Sequence, residues 1–246
     1  MSEGIAEAST NLQARIAGSL YVIIIVGAVF APFPVVPSGL MRGDAAVTAT
    51  KMMASKSLYS LGGAAELVVY ACDIGVALIF YELLKPVSRR LALLAAFFRL
   101  AYVSIAGANV LNHFAPLLFM SGGEYLTPFR PDQLRAVAVT FIRLHTIGFD
   151  IALVFFGLHC IVAGYLFFRS SFFPRILGVL LAVGGVGYLV NISANLLPPG
   201  IGAYLFPYIL APAGIAEISL ALWLLLMGVN VQRWKEQAAA AKRESL

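Results

Sequence analysis

Six stretches of the chain are apolar at nearly every position for roughly the 20 residues that a helix needs to cross a hydrocarbon core of about 30 Å. They are Ile16–Phe33, Leu58–Leu84, Leu91–Phe114, Ile147–Phe168, Ile176–Leu197 and Tyr204–Val231. The fourth is expected to belong to a longer helix that starts near Pro131, because Pro131-Asp132-Gln133 is a proline-first helix start. No stretch alternates with a period of two, as half-buried strands do. The pattern therefore predicts an all-α integral membrane bundle of six transmembrane helices in one domain covering residues 1–246.

The breaks between the stretches reinforce this reading. Pro32, Pro34 and Pro37 close the first, Lys85-Pro86 the second, and Pro198-Pro199-Gly200 the fifth. Asp44 before Ala45-Ala46-Val47 reads as an N-cap in the first long connection. The leader before the first span carries Glu3 and Glu7, with Arg15 its one basic residue, and no small-x-small site precedes the prolines. That span is read as retained rather than as a cleaved signal. Trp234 is expected to anchor the end of the sixth span at the interface, and the stretch from Gln232 to Leu246 to extend it as a helix weakly attracted to anionic lipid.

Lys and Arg favour the cytoplasmic side of short loops. With the N-terminus inside, Arg15, Lys85, Arg89, Arg90, Arg169, Arg175, Arg233, Lys235, Lys242 and Arg243 are cytoplasmic, whereas Arg42, Lys51, Lys56, Arg130 and Arg135 are outside. Both termini are thus expected in the cytoplasm of a cell inner membrane. The long connections then face outward, where loops carry function.

Composition narrows the classes further. Only 12% of residues are charged, and 61% are hydrophobic. Soluble domains carry about 25% charge, so composition excludes an ordinary soluble enzyme and a disordered chain. A net charge of +5 spread over loops is no nucleic-acid surface. Cys72 and Cys160 both sit within apolar runs and suggest neither a disulfide nor a zinc site.

Several segments carry a family resemblance. They are Gly43-Asp44-Ala45-Ala46-Val47-Thr48-Ala49-Thr50 with Ala54-Ser55, and Phe155-Phe156-Gly157-Leu158-His159 through Gly164-Tyr165-Leu166 to Ser170. Phe173-Pro174-Arg175-Ile176-Leu177-Gly178, Gly187-Tyr188-Leu189, and Tyr81 with Leu83-Leu84-Lys85-Pro86-Val87 and Arg90 belong with them. Over roughly residues 12–195 the chain resembles the membrane proteins grouped as domain of unknown function 4386. The resemblance implies a bacterial multi-helix inner-membrane protein and no particular chemistry.

Ionisable groups at bilayer depth are costly unless paired or functional. Counted from the turn at Lys85–Arg90, Asp73 lies about 18 Å deep and Arg99 about 13 Å deep on neighbouring helices, so a structural ion pair is expected. Glu66, Tyr70 and Asp73 form a polar stripe on the second span. Asn109, Asn112 and His113 stand near the outer end of the third, and Arg143, His145 and Asp150 on the fourth. Asn191 and Asn195 lie on the fifth and Glu217 on the sixth.

Together, Glu66, Tyr70, Asp73, Asn109, His113, Arg143, His145, Asp150, Asn191 and Glu217 are the candidate ligand-binding residues of an outward pocket. Scattered helix–helix hydrogen bonds are the alternative. His159 is expected to be neutral and bonded to a neighbouring helix. Ligand types for a metal are present, but no His-x-x-x-His or Glu-x-x-His spacing nominates a site, so no metal and no cofactor are expected. Nucleophile and phosphate-loop motifs are absent, and no catalytic residue is assigned. The favoured function is binding or moving a small polar or amphipathic ligand, from solution or from the bilayer. An intramembrane lipid-modifying or metal-dependent hydrolase, or an accessory subunit, are the alternatives. Gly157 and Gly164 share a face of the fourth span and Gly178 and Gly185 a face of the fifth, so these two spans are the expected best-packed hairpin, because small residues let membrane helices approach.

Overall fold

The computed structural model describes residues 2–30, 52–196 and 208–244. The prolines at 32–37, the Asp44 helix start, Lys51, Pro198-Pro199-Gly200 and the beginning of the sixth span at Tyr204 lie outside the described residues. So does the side chain of Asn195. The helices are α1 (Ser2–Phe30), α2 (Lys56–Leu84), α3 (Arg89–Phe119), α4 (Pro131–Arg169), α5 (Arg175–Leu196), α6 (Ala211–Leu226) and α7 (Val231–Glu244). There is no strand among the described residues.

Six of these helices are long and apolar enough to cross a membrane, the sixth counted from Tyr208 to Leu226. Their outward faces are as apolar as their inward ones: Leu78 is 63% and Leu111 76% exposed. A helix that is hydrophobic all round cannot be covered by water at low cost, so lipid is its solvent. The protein is therefore a multi-pass, all-helical membrane protein.

Helix ends follow local chemistry. Gln133 accepts the Arg130 backbone N–H at 2.9 Å, one half of a capping box that starts α4 at Pro131. α3 runs past the expected stop at Phe114 and through Pro116 to Phe119. Proline is tolerated in a membrane helix because neighbouring groups re-satisfy the freed carbonyl.

The sixth span, expected to continue to Val231, ends instead at Leu226. The hydropathy of Met227, Val229 and Val231 hid a glycine stop. Gly228 adopts φ +67°, and its N–H and that of Met227 both bond to the Trp223 carbonyl, at 3.0 and 2.8 Å. This is the left-handed C-terminal cap that glycine takes without a Cβ penalty. The polar tail is accordingly a separate helix, α7, capped by Asn230 Oδ1 accepting from Arg233 N at 3.1 Å. Trp234 belongs to this helix and not to the sixth span.

The chain divides into two compact units, and α1, α2, α3 and α4 contribute residues to both. Unit 1 comprises Met1–Ile25, Cys72–Val103 and Ala152–Leu246; unit 2 comprises Val26–Ala71 and Ser104–Ile151. Unit 1 is built on close helix contacts. A Cβ placed on Gly164 would meet Ala182 N at 2.6 Å and Gly178 O at 2.7 Å, and one on Gly185 would meet Gly157 O at 2.6 Å. α4 and α5 thus touch backbone to backbone. In unit 2, Met52, Tyr59 and Ile142 form a buried apolar group against Met53, Leu117 and Met120.

Gly164→Ala should lower stability by about 1–3 kcal/mol, the usual cost of overpacking. Gly107→Ala, whose Cβ meets nothing within 4 Å, should be neutral or slightly stabilising. Thermal unfolding of the two purified variants in detergent measures the difference.

Candidate functional site

In unit 2, three ionisable side chains from three helices meet. Glu66 of α2, His113 of α3 and His145 of α4 each offer one ligand-type atom within 4.8 Å of the others. His113 Nδ1 lies 3.1 Å from Glu66 Oε1, and His145 Nε2 lies 3.0 Å from Glu66 Oε2. The side chains of His113, Glu66 and His145 are 4%, 12% and 20% exposed, so the cluster is closed on the His113 side and opens toward His145.

The surroundings hold each ring in place. His113 Nε2 sits 2.9 Å from the Tyr59 carbonyl, and the Tyr59 hydroxyl donates back to the His113 carbonyl at 2.8 Å. The two rings stack at 4.3 Å between centroids. This clamp needs Gly63: a Cβ there would lie 2.8 Å from His113 Cδ2 and 2.6 Å from Phe114 Cζ. Asn109 donates to the His145 carbonyl at 2.7 Å and accepts from Asn112 at 2.9 Å. Gly148 leaves the room on α4 that Asn109 fills. Tyr70 donates to Glu66 Oε2 at 3.4 Å.

These contacts determine a tautomer. A carbonyl can only accept, so His113 Nε2 carries the hydrogen given to Tyr59. In the neutral ring Nδ1 is then a bare lone pair, and it faces a carboxylate oxygen at 3.1 Å. Two acceptors cannot face each other at that distance unless a positive centre, a proton or a metal cation, lies between them.

Unit 1 holds a second polar group with the opposite character. The Arg99 side chain is fully buried, and its Nε and Nη2 both donate to Asp73 Oδ1, the former at 2.8 Å. Its Nη1 lies 3.1 Å from His159 Nε2, while His159 Nδ1 lies 2.8 Å from the Ala95 carbonyl. The carbonyl again sets the tautomer: Nδ1 donates and Nε2 accepts from Arg99, so His159 is neutral and every ring nitrogen is used. The rings of Tyr21, Phe156 and Phe80 surround the guanidinium at 5.0, 5.4 and 5.8 Å. The network binds α2, α3 and α4 together.

The ten sequence candidates therefore separate. Glu66, Tyr70, Asn109, His113 and His145 come together in unit 2, with Asn112 beside them. Arg143 is exposed and Asp150 half-buried on the same stretch of α4, and neither joins the three-ligand group. Asp73, Asn191 and Glu217 belong to unit 1, where Glu217 accepts from the Tyr188 hydroxyl at 2.7 Å and Asn191 is buried. Tyr59 and Gly63 were not among the sequence candidates. Their signal is spacing: Tyr59, Gly63, Glu66 and Tyr70 recur every three or four residues on one face of α2.

Arg99→Leu should cost about 3–5 kcal/mol, because it strands a buried carboxylate. Adding Asp73→Leu should recover part of that loss in thermal unfolding. Equal losses from the single and double variants would show that the two charges are not coupled.

A protein of Archaeoglobus fulgidus described as uncharacterized is 26% identical to this chain over 174 residues, covering 70% of the chain and 85% of that protein. No solved structure matches. The model of the family described as domain of unknown function (DUF4386) matches residues 16–228, and the chain belongs to that family.

Proposed function

We propose that this membrane protein binds a divalent first-row transition-metal cation, of which zinc is the type, at Glu66, His113 and His145, and carries it between the extracytoplasmic face and the bundle. The observation that carries the reading is His113 Nδ1 lying 3.1 Å from a Glu66 oxygen while Nε2 is committed to the Tyr59 carbonyl. The dimensions support a cation there. Metal–ligand distances of about 2.0–2.1 Å in a tetrahedral site put neighbouring ligand atoms about 3.3 Å apart. The two nitrogen–oxygen separations are 3.1 and 3.0 Å, to the two different oxygens of Glu66, and with one atom from each residue the three lie within 4.8 Å of one another. Imidazole and carboxylate suit zinc and its neighbours, and the Tyr59 carbonyl on the far side of His113 is the outer partner that metal-bound histidines usually have.

Depth supports access from one face. At 1.5 Å per residue, Glu66 is about 27 Å from the α2 end at Leu84, His113 about 36 Å from the α3 start at Arg89, and His145 about 36 Å from the α4 end at Arg169. Rises of this size along each helix are about the thickness of a hydrocarbon core, roughly 30 Å, which supports reading the cluster as extracytoplasmic. The bias of Lys and Arg toward the turns at 85–90 and 169–175 and the tail makes them cytoplasmic, with both termini inside. The cation then enters from outside, and the bundle acts as one membrane domain.

Two histidines and a carboxylate with one position left over is also the ligand count of catalytic zinc sites. A metal-dependent intramembrane hydrolase is the second reading, and hydrolysis of lipid substrates by the zinc-loaded protein would favour it over carriage.

Purified full-length protein titrated with Zn2+ and, for its visible absorption, Co2+ should take up about one equivalent. Glu66→Gln and His113→Gln should each weaken binding by on the order of 100-fold or more, with helicity intact. Folded protein that takes up neither ion at micromolar concentration would overturn the proposal and leave a proton as the positive centre.

A further inference from the structure

The tail helix α7 is tied to two turns of unit 1. The Trp234 indole N–H donates to the Leu83 carbonyl at 2.9 Å, at the end of α2. On its other side, Ser171 donates to Gln237 through backbone N–H and hydroxyl, both at 3.0 Å, and Arg233 donates to the Ser171 carbonyl at 3.3 Å. Asn230 N–H reaches the Phe172 carbonyl at 3.4 Å. α7 thus bridges the turn joining α2 to α3 and the turn joining α4 to α5.

Between α7 and the first of these turns lies a cavity of about 810 Å³ whose lining includes Lys85, Arg89, Lys235, Lys242, Tyr81 and Trp234. Four of the ten residues that line it are cations, Pro86 and three alanines are among the rest, and none is an acid. Glu82 pairs with Lys85 at 2.5 Å. A cavity walled by one sign of charge concentrates the opposite sign. Tyr81 near the end of α2 and Trp234 on α7 are of the aromatic types enriched at the headgroup level.

The helix faces that lead away from the cavity are apolar and uncovered. On α2, Leu78 and Ile74 stand three and seven residues before Tyr81, on its face, and both are exposed. On α3, Leu93, Phe97 and Leu100 stand four, eight and eleven residues after Arg89, and all three are exposed. A cationic cup whose walls continue as exposed apolar faces has the polarity of a phospholipid: phosphate at the top, acyl chains alongside.

We propose that this cavity seats the phosphate headgroup of an anionic phospholipid, with its chains along the exposed faces of α2 and α3. Each Lys or Arg near an anionic headgroup contributes about 1 kcal/mol, or about five-fold in affinity. The site is independent of the Glu66 cluster and uses none of its residues.

The test is native mass spectrometry of full-length protein titrated with phosphatidylglycerol or phosphatidylcholine. Phosphatidylglycerol should be retained in preference. The double variant Lys235→Gln/Lys242→Gln should lower its retention by about 25-fold. Arg243→Gln, on the same helix but not lining the cavity, should change it less than two-fold. If the double variant unfolds, Arg89→Gln on α3 replaces it, with a loss of about five-fold expected. Equal losses from Arg243→Gln and the cavity variants would reduce the effect to diffuse attraction and overturn the site. Equal retention of phosphatidylcholine would also overturn it. Displacement of the lipid by glycerol 3-phosphate at matching concentration would overturn the lipid assignment in favour of a soluble phosphate ester.

Discussion

A charge that cannot reach water has to be satisfied by the protein around it, and Arg99 is where unit 1 meets that demand. Its guanidinium draws a carboxylate from α2, an imidazole from α4 and three aromatic faces into one place. Lipid supplies no hydrophobic force to hold helices together, because hydrocarbon outside is as apolar as leucine inside. What remains is backbone proximity, as at the glycines of α4 and α5, and polar groups with no alternative partner. The second is directional, which glycine contacts alone are not. It specifies which face of each helix turns inward.

The two histidine-containing clusters obey the same rule and reach opposite results. Each has one ring nitrogen committed to a backbone carbonyl, Ala95 for His159 and Tyr59 for His113. For His159 the remaining nitrogen meets a donor, Arg99, and both ring nitrogens are used. For His113 it meets an acceptor, Glu66, and the network asks for something positive.

Much of the architecture was legible because lipid imposes a one-dimensional code. Length and hydropathy located the spans, and Pro131-Asp132-Gln133 located the start of α4 ahead of its apolar part. Depth counting put Asp73 and Arg99 at neighbouring heights, since rise per residue is fixed. Azimuth between helices is not encoded that way. Glu66, His113 and His145 come from three helices far apart in sequence, so no local spacing joins them, and Asp150 looked as eligible as His145. Gly228 was missed for a different reason: hydropathy averages over windows, and one glycine between Met227 and Val229 does not lower the average enough to reveal a left-handed cap. Tyr59 was passed over because its contribution is a backbone carbonyl, which every residue has.

The missing side chain at Gly63 has a consequence beyond this molecule. His113 can lie against α2 only where that helix carries a hydrogen atom in place of a carbon, with Tyr59 one turn before and Glu66 one turn after. Written along the chain, this is Tyr-x-x-x-Gly-x-x-Glu on one helix and Asn-x-x-Asn-His on the next. That compound pattern is a sieve: related chains that pass it can build the clamp, and those with any larger residue at the glycine cannot, whatever acids and histidines they keep.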